Sequence, residues 1–325
     1  MNRHCVLTFD YELFLGEETG TALRSIIEPT DRIIELFKKH ESKGIFYVDA
    51  GYLLKLKEYN HSDLEAIGNQ LRELISIGSS VELHIHPQWL DAVFDGDNWS
   101  FSSFDKFRLH SLNSDRLTCY FLQCKQVLEE TSGAPVRGFR AGGWCLQPFK
   151  EIGEAFDKAG IVLDSSVTPG LVKNNLPHHY YNYSGVIHDN VYRFESDPCE
   201  EVIKGKFREL PVTTHKIHGM TLFLNALMLR KYNNRVFGDG RGLYKADGLA
   251  KKFRRIFAYN MRTLSVEGMF PALFRYEYEK QVKNTNCLPC LVMHPKTISE
   301  LALMNLEYVC RTSSTLSTAE VLDRS

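Results

Sequence analysis

His4-Cys5-Val6-Leu7-Thr8-Phe9-Asp10-Tyr11-Glu12 reads as an apolar β-strand, His4–Phe9, that runs out into two carboxylates. Thr30–Ser42 follows with Ile33, Ile34, Leu36 and Phe37 at helical spacing, between Pro29 and Gly44 as punctuation. Ile45–Val48 then reads as a second strand. Strand, helix, strand is the unit of a parallel sheet, and it recurs along the chain. Ser62-Asp63-Leu64-Glu65 has the pattern of a capping box and opens a helix that closes at Gly78. Val81–His86 is the third strand. Ser114–Glu130 is helical, with Leu117, Phe121, Cys124 and Leu128 on one face, and Val136–Phe139 is a strand. A helix runs from Pro148 to Gly160, and Ile161–Leu163, Glu209–Thr213 and Leu291–Met293 complete the strands. The class is α/β, with the parallel sheet open or closed.

The alternation fails between Trp89 and Asn113 and between Val167 and Phe207. Loops of that length are uncommon without a function. Trp89, Phe94, Trp99, Phe101 and Phe104 crowd the first; Tyr180, Tyr181, Tyr183, Tyr192 and Phe194 crowd the second. They read equally as local clusters or as platforms for the rings of a ligand. At about 150 residues per domain the chain of 325 residues suggests two domains, but α/β barrels run past about 200 residues as one. No Pro/Ser-rich linker or internal repeat divides it, so a single domain over 1–325 is expected.

Composition narrows the class. Hydrophobic residues make up 43% and charged residues 24%, an ordinary globular mix. With 39 Lys and Arg against 40 Asp and Glu, the net charge is −1, which speaks against nucleic acid as a partner. Eight scattered cysteines do not make a disulfide scaffold and suggest a reducing compartment. No apolar run near the N-terminus resembles a secretory signal, and the longest apolar stretch, around Thr221–Leu229, is broken by Asn225 and is far short of the ~20 residues of a membrane span. A cytoplasmic chain is expected.

Active sites of parallel α/β folds form at the C-terminal ends of the strands. There the sequence places Asp10 and Glu12, then Glu82, His84 and His86, then Arg140, Asp164 and finally His294. Side chains alternate along a strand, so His84 and His86 share a face with Glu82 below them. Two imidazoles and one carboxylate form the protein half of a catalytic zinc site.

Thr8-Phe9-Asp10, His84/His86-Pro87, Arg140 and Leu291-Val292-Met293-His294 resemble the ordered motifs of the polysaccharide deacetylases, the NodB-homology fold of carbohydrate esterase family four. The resemblance spans Cys5 to Pro295. It implies a distorted (β/α) barrel, here with long aromatic-rich loops, a divalent metal such as zinc, and removal of N-acetyl groups from sugars. By resemblance Asp10 is the catalytic base, Arg140 orients it, and His294 is the catalytic acid. Trp144 stands near the aromatic of the arginine motif, with Ala141-Gly142-Gly143 in place of its prolines, and Asp164 matches a fourth motif without its Trp. These two and Trp89 are the expected substrate contacts. The family's second aspartate is replaced by Tyr11, which leaves Glu12 as the carboxylate ligand. The family's first histidine falls at Glu82, so either Glu82 binds the metal or His84 substitutes beside His86; zinc's preference for imidazole favours His84. The metal and a backbone N–H near Ala141–Gly143 would hold the oxyanion.

The expected activity is metal-dependent N-deacetylation of an amino sugar in glycan biosynthesis, on a nucleotide- or lipid-linked precursor. Rival readings are a hydrolase of another C–N bond in a small amide, and a silent glycan-binding barrel. Cys287-Leu288-Pro289-Cys290 lacks a second pair and reads as packing. His178, His179 and His215 read as ordinary polar residues, and Gly238–Gly242 as a turn. The run Lys251-Lys252-Phe253-Arg254-Arg255-Ile256-Phe257 reads as a solvated helix face, with peripheral contact to a membrane or lipid-linked substrate as its alternative.

Overall fold

The computed structural model describes residues 3–103, 106–176, 178–242, 254–283 and 287–324. Its nine-stranded main sheet consists of β1 (His4–Tyr11), β2 (Ile45–Asp49), β3 (Ser80–Ile85), β4 (Gly138–Ala141), β5 (Leu163–Asp164), β6 (Tyr192–Phe194), β7 (Phe207–Glu209), β8 (Cys290–Met293) and β9 (Ser314–Thr315). Their order is β6-β7-β5-β4-β3-β2-β1-β8, with β9 beside the start of β1. All pairings are parallel except β6 with β7. Helices including Glu28–His40, Asp63–Ser76, Ser114–Ser132, Lys150–Ala159 and Glu300–Thr312 follow the strands.

Alternation sorts the core into two layers. Cys5, Leu7, Phe9 and Tyr11 of β1 join Phe46, Val48, Leu83 and Phe139 in the cluster between sheet and helices. The other parity, Val6, Ile45, Tyr47, Leu163, Val212, Cys290 and Val292, fills the concave side. The open side of the sheet is bridged by Leu210–Thr213: Val212 N donates to Val167 O at 2.9 Å, and Thr213 N to Cys290 O at 3.0 Å. That bridge makes a distorted barrel, as the resemblance implied.

Several local expectations change. The run Glu209–Thr213 is a strand only at its start, and the remainder crosses the seam. Val136–Phe139 is displaced to Gly138–Ala141. Ser62 is in a helical conformation, and its side chain caps nothing. A capping side chain requires an extended backbone, so the box does not form. The two irregular stretches contain hairpins, Ala92–Phe94 with Trp99–Phe101 and Val172–Asn175 with His179–Asn182. Phe104, Lys251, Lys252 and Phe253 lie outside the described residues. All eight cysteines are free; Cys290 is buried in β8, and Cys287 Sγ donates to Asp189 O at 3.2 Å. Among the described residues no helix is long and apolar enough to cross a membrane.

Candidate active site

Because β1 alternates, Asp10 and Glu12 continue the concave parity of Val6 and Thr8. Tyr47, Asp49, Glu82, His84 and Arg140 occupy the same face of the neighbouring strands, in register with them. The strand ends and the residue after β8 thus converge on a cavity of about 260 Å³. Asp10, Glu12, His84, His86, Trp144 and His294 all line it, with Glu267 and Ser265.

Three of these residues form a tight triangle. Glu12 Oε2 lies 2.7 Å from His86 Nε2 and 3.2 Å from His84 Nε2, and the two imidazole nitrogens are 3.0 Å apart. Such separations approach the roughly 3.3 Å edge of a tetrahedron with ligand bonds near 2.0 Å. His84 Nδ1 lies 2.7 Å from Arg140 O, which can only accept, so Nδ1 carries the proton and Nε2 keeps its lone pair. Glu12 Oε2 is buried and makes no hydrogen bond of good geometry, although both imidazole nitrogens crowd it, an arrangement that a shared cation would satisfy. The donor set and this orphaned oxygen fit a divalent cation held by Glu12, His84 and His86.

Glu12 is anchored from its other oxygen. Lys296 Nζ donates to Glu12 Oε1 at 2.8 Å and to Leu13 O at 2.8 Å. Burial alone would raise the Glu12 carboxyl, but Lys296 and His86 hold it well below the usual value. Glu82 is elsewhere: its Oε2 accepts from Arg137 N at 2.9 Å and Gly138 N at 2.5 Å, fastening the entry to β4. Burial raises its carboxyl above the ordinary value, against those donors.

Arg140 has no solvent exposure and no unused side. Nη1 donates to Asp10 Oδ1 at 2.6 Å, Nε to Ser165 O at 2.8 Å, and Nη2 to Thr8 Oγ1 and Ser165 Oγ, both at 2.9 Å. The guanidinium also lies 4.1 Å over the Tyr47 ring. Burial would raise Asp10, but Arg140, helped by His84 and His294, holds its carboxyl below the usual range. Its second oxygen, Oδ2, lies 3.6 Å from His294 Nε2.

His294 is backed by a residue absent from the sequence reading. Glu267 accepts from the His294 backbone N–H, and its Oε2 lies 3.4 Å from His294 Nδ1. Burial would lower the imidazole, but Glu267 and then Asp10 lift it to about 9. Lys296 was missed as well. Neither belonged to a strand-end pattern; Lys296, two residues beyond His294, was the more findable, as a cation beside predicted ligands.

Two expected substrate contacts are corrected. Asp164 is completely buried because β5 pairs it with Phe139, which faces the helices. Its carboxyl binds Ser166 N and Ser166 Oγ, both at 2.8 Å, and Ser166 Oγ accepts from Ala141 N at 2.9 Å. That last bond also removes Ala141 from the donors available to an oxyanion. Trp89 is completely buried too; its Nε1 donates to Asp49 Oδ2 at 2.6 Å, and its ring packs on Tyr52, Trp99 and Phe101. Trp144 does line the cavity. Tyr183, from the second aromatic stretch, donates to Trp144 O at 2.7 Å, and His179 Nε2 donates to Gly143 O at 2.9 Å. The described aromatics of both stretches therefore pack as clusters that brace the wall, and none of them lines the cavity.

No known family profile matches the sequence, and no curated protein matches it. Among solved structures, a putative polysaccharide deacetylase from Mycobacterium smegmatis is similar over 100% of this chain and 91% of its own, at 12% identity and a TM-score of 0.54. A 4-alpha-glucanotransferase from Thermococcus litoralis is similar over 100% of this chain and 41% of its own, at 12% identity and a TM-score of 0.53. At such identities the likeness establishes the fold alone, a distorted (β/α) barrel. Function must be argued from the site, since one scaffold carries different chemistries.

Proposed function

We propose that this protein is a metal-dependent N-deacetylase acting on an amino sugar in glycan biosynthesis. One observation carries the reading: a carboxylate clamped by Arg140 and an imidazole backed by Glu267 stand 3.6 Å apart at the rim of the Glu12–His84–His86 triangle. Pure binding requires no such base and acid together.

A divalent ion held by the triangle would polarise the amide carbonyl and lower the pKa of the attacking water to about 7. Asp10 accepts the water's proton on Oδ2, since Oδ1 is occupied by Arg140. The hydroxyl adds to the acyl carbon, and the C–N bond of the tetrahedral adduct then breaks. His294, held protonated, gives Nε2–H to the departing nitrogen, which leaves as an amine while the acyl group leaves as its acid. Trp144 offers a ring face to the sugar at the cavity wall.

The eight free thiols support work in a reducing compartment, on a precursor. The test is to compare acetate release from nucleotide- and lipid-linked N-acetyl sugars with ammonia release from small amides, using zinc-loaded protein. Acetate from a sugar precursor supports the proposal. Ammonia from a simple amide, or glycan binding without any turnover, overturns it.

A further inference from the structure

The helix Gly219–Lys231 directly follows the strand Thr214–His218, which pairs antiparallel with Tyr259–Thr263. Its polarity is inverted. An ordinary surface helix turns its apolar stripe inward. Here the buried residue in its middle is Asn225, whose Nδ2 donates to Gly268 O and whose Oδ1 accepts from Phe270 N, both at 2.8 Å. Four apolar side chains face water on the other side: Phe223 is 45% exposed, Leu224 54% and Leu227 48%, with Met220 beside them, while Leu222 packs against the core. Tyr232 and Tyr259, at the two ends of the helix, are more exposed still.

Charge identifies what would cover this face. Among the described residues between 216 and 262, eight Lys and Arg stand against one Asp, in a chain whose net charge is −1. Lys216, Arg230, Lys231, Arg235, Arg254 and Arg262 are all exposed there. A second copy docking about a two-fold axis would bring this cationic field against itself. An anionic lipid surface would take up both features, since apolar side chains enter the headgroup boundary and each Lys or Arg nearby is attracted to it.

The same helix lines a second cavity that borders the active site. That cavity, of about 690 Å³, is lined by Leu222, Asn225 and Leu229 on the helix side, and it shares Trp144, Ser265 and Glu267 with the catalytic cavity. We propose that Gly219–Lys231 is an interfacial helix that seats the protein on anionic lipid, with the second cavity admitting the amino sugar of a lipid-linked substrate to the catalytic residues. The substrate half of this inference rests on the deacetylase reading; the docking half does not.

Co-sedimentation of the full chain with vesicles separates the two. Vesicles of equal parts phosphatidylglycerol and phosphatidylcholine should retain the protein, and pure phosphatidylcholine should retain much less. The triple variant Phe223→Ser, Leu224→Ser, Leu227→Ser, checked for an unchanged thermal melt, should bind anionic vesicles at least about tenfold more weakly. Arg230→Gln with Lys231→Gln should cost about fivefold per charge and flatten the salt dependence. Absence of wild-type binding to anionic vesicles, or binding that survives the triple variant, overturns the proposal. So does a dimer that the triple variant dissociates in the absence of lipid. Since binding is read without turnover, a docked but inactive protein would refute the deacetylase reading alone.

Discussion

Glu267 and His294 form a pair that crosses from the segment after the Tyr259–Thr263 strand to the end of β8, with Oε2 and Nδ1 3.4 Å apart. The pair lifts the imidazole to about 9, against a burial effect that would lower it. Glu267→Gln should therefore move the alkaline limb of the rate profile to lower pH, because the proton donor is lost sooner as pH rises. His294→Ala should lower kcat by about 10²–10⁴-fold. A limb left in place by Glu267→Gln would show that the carboxylate does not set the proton on His294.

Stability of the metal-free protein should carry the same signature. The folded pKa of His294 lies above the unfolded value of 6.5, so its contribution is complete below pH 6.5 and is lost as pH rises through about 9. Thermal melts in chelator across that window should show wild type losing stability that His294→Gln does not lose.

Metal content should separate the triangle from Glu82. His86→Ala should abolish binding of one divalent ion per chain, and His84→Ala and Glu12→Gln should weaken it, by elemental analysis. Glu82→Ala should keep the ion and cost about 1–3 kcal/mol for each backbone N–H it leaves unpaired, those of Arg137 and Gly138. Loss of the ion in Glu82→Ala with an unchanged melt would reverse the assignment.

Asp10→Asn should retain the ion and lose turnover by about 10²–10⁴-fold, since an amide accepts no proton from water. It should also destabilise the fold, by up to about 3–5 kcal/mol, because Arg140 is left buried without a counter-charge. Metal titration, steady-state rates and denaturant melts on one preparation check all three.

Trp144→Ala should raise KM, as a ring is removed from the cavity wall. Trp89→Phe should leave KM unchanged and lower the melting temperature, because the indole N–H on Asp49 lies in the interior. A KM effect at Trp89 equal to that at Trp144 would restore it as a substrate contact.

Much of the site was legible in the sequence because strand periodicity is local. That His84 and His86 share a face, and that Asp10 and Glu12 do, follows from alternation before any packing is known. The concentration of charged side chains at strand ends belongs to the same level, as does the α/β class from alternating periods. Other decisions needed tertiary structure. Asp164 faces the helices because pairing sets it beside Phe139; a strand of two residues carries no periodicity from which its parity could be read. Glu82 shares a parity with His84, but two backbone N–H groups of the neighbouring β4 entry hold it away from the Glu12–His84–His86 triangle. Glu267 meets His294 across 27 residues of chain, and Lys296 meets Glu12 across 284. Local sequence specifies which way a side chain points from its own strand, whereas its partner is chosen by whichever distant strand end the closing barrel brings beside it.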